Sequence, residues 1–287
     1  MRPGLWKKSF IAATLLLVIS LILSGTLWHQ LNATKIQLND TIAQLSAVKP
    51  TMDGLKAERD WILRSYADMR RQINVRSGIK QDCQYFITPD DPEIAAKVQE
   101  VTNGYSRKYL WRDYGRLYMW IIRNIQYSLD SPTPLLPEYI NGALEWRGDF
   151  WRMPVETLRD ETGDCEDTAL LLASMLLNYN QKRFPVWIVG VRTFGLKPEA
   201  HIALAIPCTN NQLTIFDMAA HYYTQFPVYG GFGSKNVSLA VNDWLTHLED
   251  EIPGAQIYLA FSENFYREFS STREFIDWFY RLGTQDS

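Results

Sequence analysis

Gly163-Asp164-Cys165-Glu166-Asp167-Thr168-Ala169, followed by the apolar run Leu170 to Leu177, decides how this chain is read. Leu170, Leu171, Ala173, Leu176 and Leu177 recur at helical spacing, which predicts a buried helix. Asp164 suits its N-cap, and Asp167 three residues on has the spacing of a capping box. Cys165 then lies in the first turn, among backbone N–H groups with no partner inside the helix. Those groups and the helix dipole favour a thiolate over a thiol. A lone cysteine is most often a buried structural thiol. At a helix start it becomes a candidate nucleophile, provided a base comes to meet it.

Two later places supply partners. His201 lies in a strand-like run, His201 to Ile206, which follows the strand Val186 to Val191. Asp217 ends the next strand-like run, Leu213 to Asp217. The order is cysteine on a helix, histidine on one strand and aspartate on the following strand. In that order, and in Trp151-Arg152-Met153-Pro154-Val155-Glu156-Thr157-Leu158 upstream, residues 120–220 resemble the transglutaminase-like superfamily, specifically its microbial cysteine peptidases. The resemblance implies a Cys165-His201-Asp217 triad for thiol acyl transfer. It also implies an α+β fold with a papain-like, transglutaminase-type core, the cysteine helix packing on an antiparallel sheet. The Cys165 backbone N–H would meet the oxyanion; a side-chain donor usually assists, and Gln126 and Trp151 are the candidates. His221 is a rival base, whereas His29 and His247 are poorly placed.

Residues 10–28 carry no charge and are mostly Leu, Ile, Val and Ala. At about 1.5 Å per residue such a helix spans roughly 28 Å, close to a bilayer's hydrocarbon thickness. Arg2, Lys7 and Lys8 precede it, which predicts a cytoplasmic N-terminus (1–9), an anchor (10–28) and the rest of the chain outside. A cleaved signal peptide is the competing reading; Trp28 closing the run favours an uncleaved anchor. Leu31, Leu38, Leu45 and Met52, with Val48, Leu55, Ile62 and Met69, form two seven-residue series. Residues 29–82 therefore read as a coiled-coil-like stalk, open to self-association, with Pro50 expected to kink or divide it. Thr88-Pro89-Asp90-Asp91-Pro92 marks a turn near the start of the domain 83–287. Within that domain, helices are expected over 93–101, 107–127 and 265–282, and further strands over 222–229 and 256–261.

The 287 residues carry a net charge of −3, which argues against a broad electrostatic grip on nucleic acid. Three cysteines are too few for a disulfide framework; with Cys165 set aside, Cys83 and Cys208 either pair or stay free. Gly230-Gly231-Phe232-Gly233 lacks the lysine and spacing of a phosphate loop. Asp164, Glu166 and Asp167 are too close in sequence to face one point on a regular helix, so neither a metal nor a cofactor is expected. The reading is a membrane-anchored enzyme acting on amide bonds of a protein or peptide, by hydrolysis first and by cross-linking to an amine second. A non-catalytic binding scaffold on a stalk is the rival.

Overall fold

A computed structural model describes residues 4–77, 80–194, 198–225 and 231–282. Helix α1 (Gly4–Asn74) precedes α2 (Pro92–Thr102) and α3 (Leu110–Asn124). Short strands β1 (Gln126–Tyr127), β2 (Thr133–Leu135) and β3 (Glu145–Arg147) lead to α4 (Pro154–Asp160), β4 (Thr162–Gly163) and α5 (Cys165–Tyr179). Next come β5 (Trp187–Arg192), β6 (Ala200–Cys208), β7 (Gln212–Asp217), β8 (Tyr222–Tyr223) and β9 (Lys235–Asn236). The chain closes with α6 (Val237–Leu248), β10 (Gln256–Ser262), β11 (Phe265–Glu268) and α7 (Thr272–Leu282). It divides into two compact units, Met1–Asp68 and Met69–Ser287.

The first unit is helical. α1 contains one stretch long and apolar enough, by length and composition, to cross a membrane. It passes through Pro50 undivided. Proline removes one helical hydrogen bond, and here it does so on an exposed surface where water can satisfy the freed carbonyl. The heptad positions Leu31, Leu38, Leu45 and Met52 are all exposed.

The second unit is α+β. Its main sheet runs β11-β10-β5-β6-β7-β8, with β9 also on β7, and every pairing is antiparallel. Alternation assigns each side chain to a layer. Ile188, Ile202, Leu204, Ile206 and Phe216 face a core built with α2, α3 and α5. Trp187, Val189, Val191, Ala203, Ala205 and Ile215 face a second core built with α6 and α7. Strands covered on both faces read as continuous apolar runs, which is why β5 and β6 were recognisable. α5 is buried along almost its whole length, as expected for a helix apolar all round.

Local structure departs from the sequence reading in four places. The helix expected over 107–127 stops at Asn124, and Gln126–Tyr127 pairs in parallel with Thr162–Gly163. The proline-rich loop after Ser131 contains a hairpin, β2 against β3. Residues 265–268 form a strand before α7 rather than its first turn. The strand expected over 222–229 is seen at Tyr222–Tyr223; residues 226–230, including Gly230, lie outside the described residues.

Candidate active site

Asp164 occupies the N-cap of α5 but makes no side-chain capping bond, so the capping-box spacing is not realised. Asp167 reaches across to a neighbouring segment instead: its Oδ1 accepts the Arg152 backbone N–H at 2.8 Å, tying the Trp151–Met153 segment to the helix. Residue 163 must be glycine for the same reason. A Cβ there would stand 2.6 Å from the Asp167 Cβ and 2.9 Å from its Oδ2.

On the sheet, His201 opens β6 and Asp217 ends β7, and the two side chains meet. His201 Nε2 lies 2.7 Å from Asp217 Oδ2, both residues being buried. The same oxygen accepts the Trp244 indole N–H at 2.8 Å, while Oδ1 accepts the Ala220 backbone N–H at 2.9 Å. Trp244 comes from α6, on the far side of the sheet, and is fully buried. Burial pushes the His201 imidazole down, but the hydrogen bond and charge of Asp217 outweigh it and raise its pKa overall.

The sulfur sits in an acidic setting. Cys165 is half-buried as a residue, and its Sγ–H donates to Glu166 Oε2 at 3.3 Å. Burial of the thiol pushes its pKa well above the ordinary cysteine value, the Glu166 and Asp164 charges push it further, and the Ile202 backbone N–H opposes them. The depressed thiol expected from the helix end therefore does not hold: enclosure and two acids outweigh the dipole. Cys165 packs against the core that includes Ile202, the residue next to His201.

Glu166 is itself pushed up, first by burial, then by Asp164, Asp149 and Asp167. Burial likewise raises Asp167 to about 7 and Asp130 to about 6. Asp130, Asp149 and Glu166 each place a carboxylate oxygen within 4.8 Å of the others, a grouping that sequence spacing did not reveal. Glu166 Oε1 and Asp164 Oδ1 are buried without a hydrogen-bond partner among the described residues. An all-oxygen set of this kind suits a hard cation such as calcium or magnesium.

The remaining candidates sort by position. The Trp151 indole N–H is engaged by Asp149 Oδ1 at 3.1 Å, which removes it as a free oxyanion donor. Gln126 is exposed on β1, and Tyr127 beside it pairs with Gly163. His221 is exposed at a left-handed φ of 53°, and His247 Nε2 lies 2.9 Å from the Ala220 carbonyl. Cys83 and Cys208 are not in a disulfide. Trp244 was missed from sequence, although Val237, Ala240, Val241, Trp244 and Leu248 have the helical period that would have found α6.

Residues 97–231 match the family described as a transglutaminase-like domain. No curated protein matches the chain. Among solved structures, Legionella pneumophila LapG is 17% identical, over 67% of this chain and 97% of its own, with a TM-score of 0.32. Its calcium-bound form is 17% identical over 66% and 98%, with a TM-score of 0.31. A Cytophaga hutchinsonii protein described as a candidate cysteine protease is 16% identical over 67% of this chain and 59% of its own, with a TM-score of 0.32. Likenesses this low carry no argument about chemistry. Residues 97–231 are thus a transglutaminase-like domain by that match.

Proposed function

We propose that this chain is a membrane-anchored thiol acyl-transfer enzyme, a transglutaminase-like cysteine peptidase using Cys165, His201 and Asp217. The observation that carries the reading is the buried His201–Asp217 bond of 2.7 Å, with Cys165 packed against the core that includes Ile202, the residue after His201. Since Nε2 faces Asp217, Nδ1 is left to take the thiol proton. Sulfur then bonds to the amide carbon, the C–N bond breaks, and the imidazolium returns its proton to the leaving nitrogen. Water, activated by the same imidazole, resolves the thioester to acid and thiol; an amine in its place gives a cross-link. The Cys165 backbone N–H is available to the oxyanion at the start of α5.

The raised thiol pKa describes a resting site in which proton transfer to His201 awaits the substrate. It also favours the rival scaffold reading. Alkylation of the full-length chain with iodoacetamide separates the two. Under the enzyme reading Cys165 labels ahead of Cys83 and Cys208, and His201→Ala slows it by about ten-fold or more. Equal labelling of all three thiols, indifferent to His201, would instead establish the scaffold.

The basic N-terminus and the apolar span of α1 support a single pass with the catalytic unit outside. The exposed heptad positions support self-association through the stalk.

A further inference from the structure

A cavity of about 250 Å³ lies among residues close in sequence to Cys165 and Asp217 and is used by no step above. It forms where three elements of the site converge. Thr168 stands one turn beyond Cys165 on α5, Met218 directly follows Asp217, and Tyr127 is paired with Gly163. Partial burial of the Tyr127 phenol, and then the charges of Cys165, Asp164, Glu166 and Asp217, hold its proton on. The cavity thus draws its lining from the segments that carry Cys165 and Asp217.

Its chemistry is specific. Ile121, Ile122, Ile125 and Met218 supply apolar wall, Tyr127 and Thr168 add hydroxyls, and no Asp, Glu, Lys or Arg lines it. A charged side chain entering would lose its hydration without a counter-charge. A hole of about 150 Å³ already accepts a benzene ring, so this one has room for a leucine- or phenylalanine-sized group. At its mouth, the exposed side chains of Gln126 and His221 have no hydrogen-bond partner among the described residues. They are free to pair with the backbone of an extended peptide.

We infer that this cavity is the acyl-side specificity pocket, taking a large uncharged aliphatic or aromatic side chain from the residue whose carbonyl is attacked. The acyl half stays bonded to sulfur until the second nucleophile arrives, so it is the half that a pocket built from the triad's own elements must hold. The inference rests on the enzyme reading proposed above.

Peptidyl chloromethyl ketones, acetyl-Gly-X-CH₂Cl with X as Leu, Lys or Asp, test it without requiring the natural substrate. The thiolate displaces chloride, and the rate of Cys165 modification reads how well X is held. The full-length chain in detergent should react at least about ten-fold faster with X as Leu than with Lys or Asp. Ile122 is half-buried on the wall. Ile122→Trp, which fills the space, should abolish the preference, and Ile122→Asp should turn it toward Lys. Rates that ignore X, or a Leu preference surviving both variants, would overturn the pocket. Iodoacetamide labelling of the wild type and His201→Ala reports the nucleophile separately. If labelling is His201-dependent but X-independent, only the pocket falls; if it is His201-independent, the enzyme reading falls and takes the pocket with it.

Discussion

Trp244→Phe removes one N–H from the orienting acid while leaving a ring in the same layer. The indole nitrogen donates to Asp217 Oδ2 at 2.8 Å, and neither residue has access to solvent. A hydrogen bond to a charged group contributes about 1.5–3 kcal/mol. The smaller ring leaves roughly 40 Å³ empty, which at ~24 cal/mol per Å³ costs about 1 kcal/mol more. The expected loss is therefore about 2.5–4 kcal/mol, or roughly 5–16 °C in the unfolding midpoint of a unit this size. Calorimetry on the variant measures it. Trp187→Phe is the control: Trp187 packs in the same apolar layer, and its N–H has no hydrogen-bond partner among the described residues. That change should cost only the ring, about 1 kcal/mol. With one donor fewer, Asp217 also attracts the His201 proton more strongly, so the imidazolium titrates at higher pH in the variant. If Trp244→Phe costs no more than Trp187→Phe and leaves the histidine titration unmoved, the indole bond does not hold the acid.

Gly163→Ala should destabilise by about 2 kcal/mol or more, because the new Cβ meets the Asp167 Cβ, which has no room to retreat. A thermal midpoint matching the wild type would show that the β4–α5 junction can shift. Asp167→Asn probes the buried acids, in a chelator so that no cation substitutes for a proton. Asp167 has its pKa raised to about 7, so the fold prefers the neutral acid. The wild type should therefore lose stability between about pH 4 and pH 7, as the fold resists an ionisation that the unfolded chain allows. A shift of about 3 pH units corresponds to roughly 4 kcal/mol. Asparagine keeps the oxygen that receives the Arg152 N–H but cannot ionise, so the variant's advantage should grow across that window. A pH-independent difference in unfolding free energy would contradict the direction of the shift.

How much could be read without coordinates follows the range of the interactions involved. The cysteine helix and strands β5, β6 and β7 depend on short patterns and doubly covered apolar runs, and the family resemblance their order carries implied the His201–Asp217 meeting. The Gly163-Asp164-Cys165 turn was legible as a helix start. What Asp167 does there was not, because its partner, the Arg152 backbone, arrives from a separate segment. The thiol was misjudged for the same reason. A helix dipole is local, whereas the burial and acids that outweigh it come from the assembled domain. Asp130 and Asp149 stand 19 residues apart and meet at Glu166 only through the excursion that contains β2 and β3. α6 is the one omission that periodicity could have prevented.

β10 carries one residue more than β5 can match: Ile257 pairs with Val191 and Leu259 with Gly190, leaving Tyr258 between them. That extra residue turns two neighbouring side chains, Tyr258 and Leu259, toward the layer of the cysteine helix. The ring of Tyr258 lies over Gly190, where a methyl would stand 2.8 Å from its edge. Length in one strand and smallness in the other are thus sterically coupled. Relatives that shorten β10 by one residue are free to enlarge position 190, whereas those that keep the extra residue must keep the glycine.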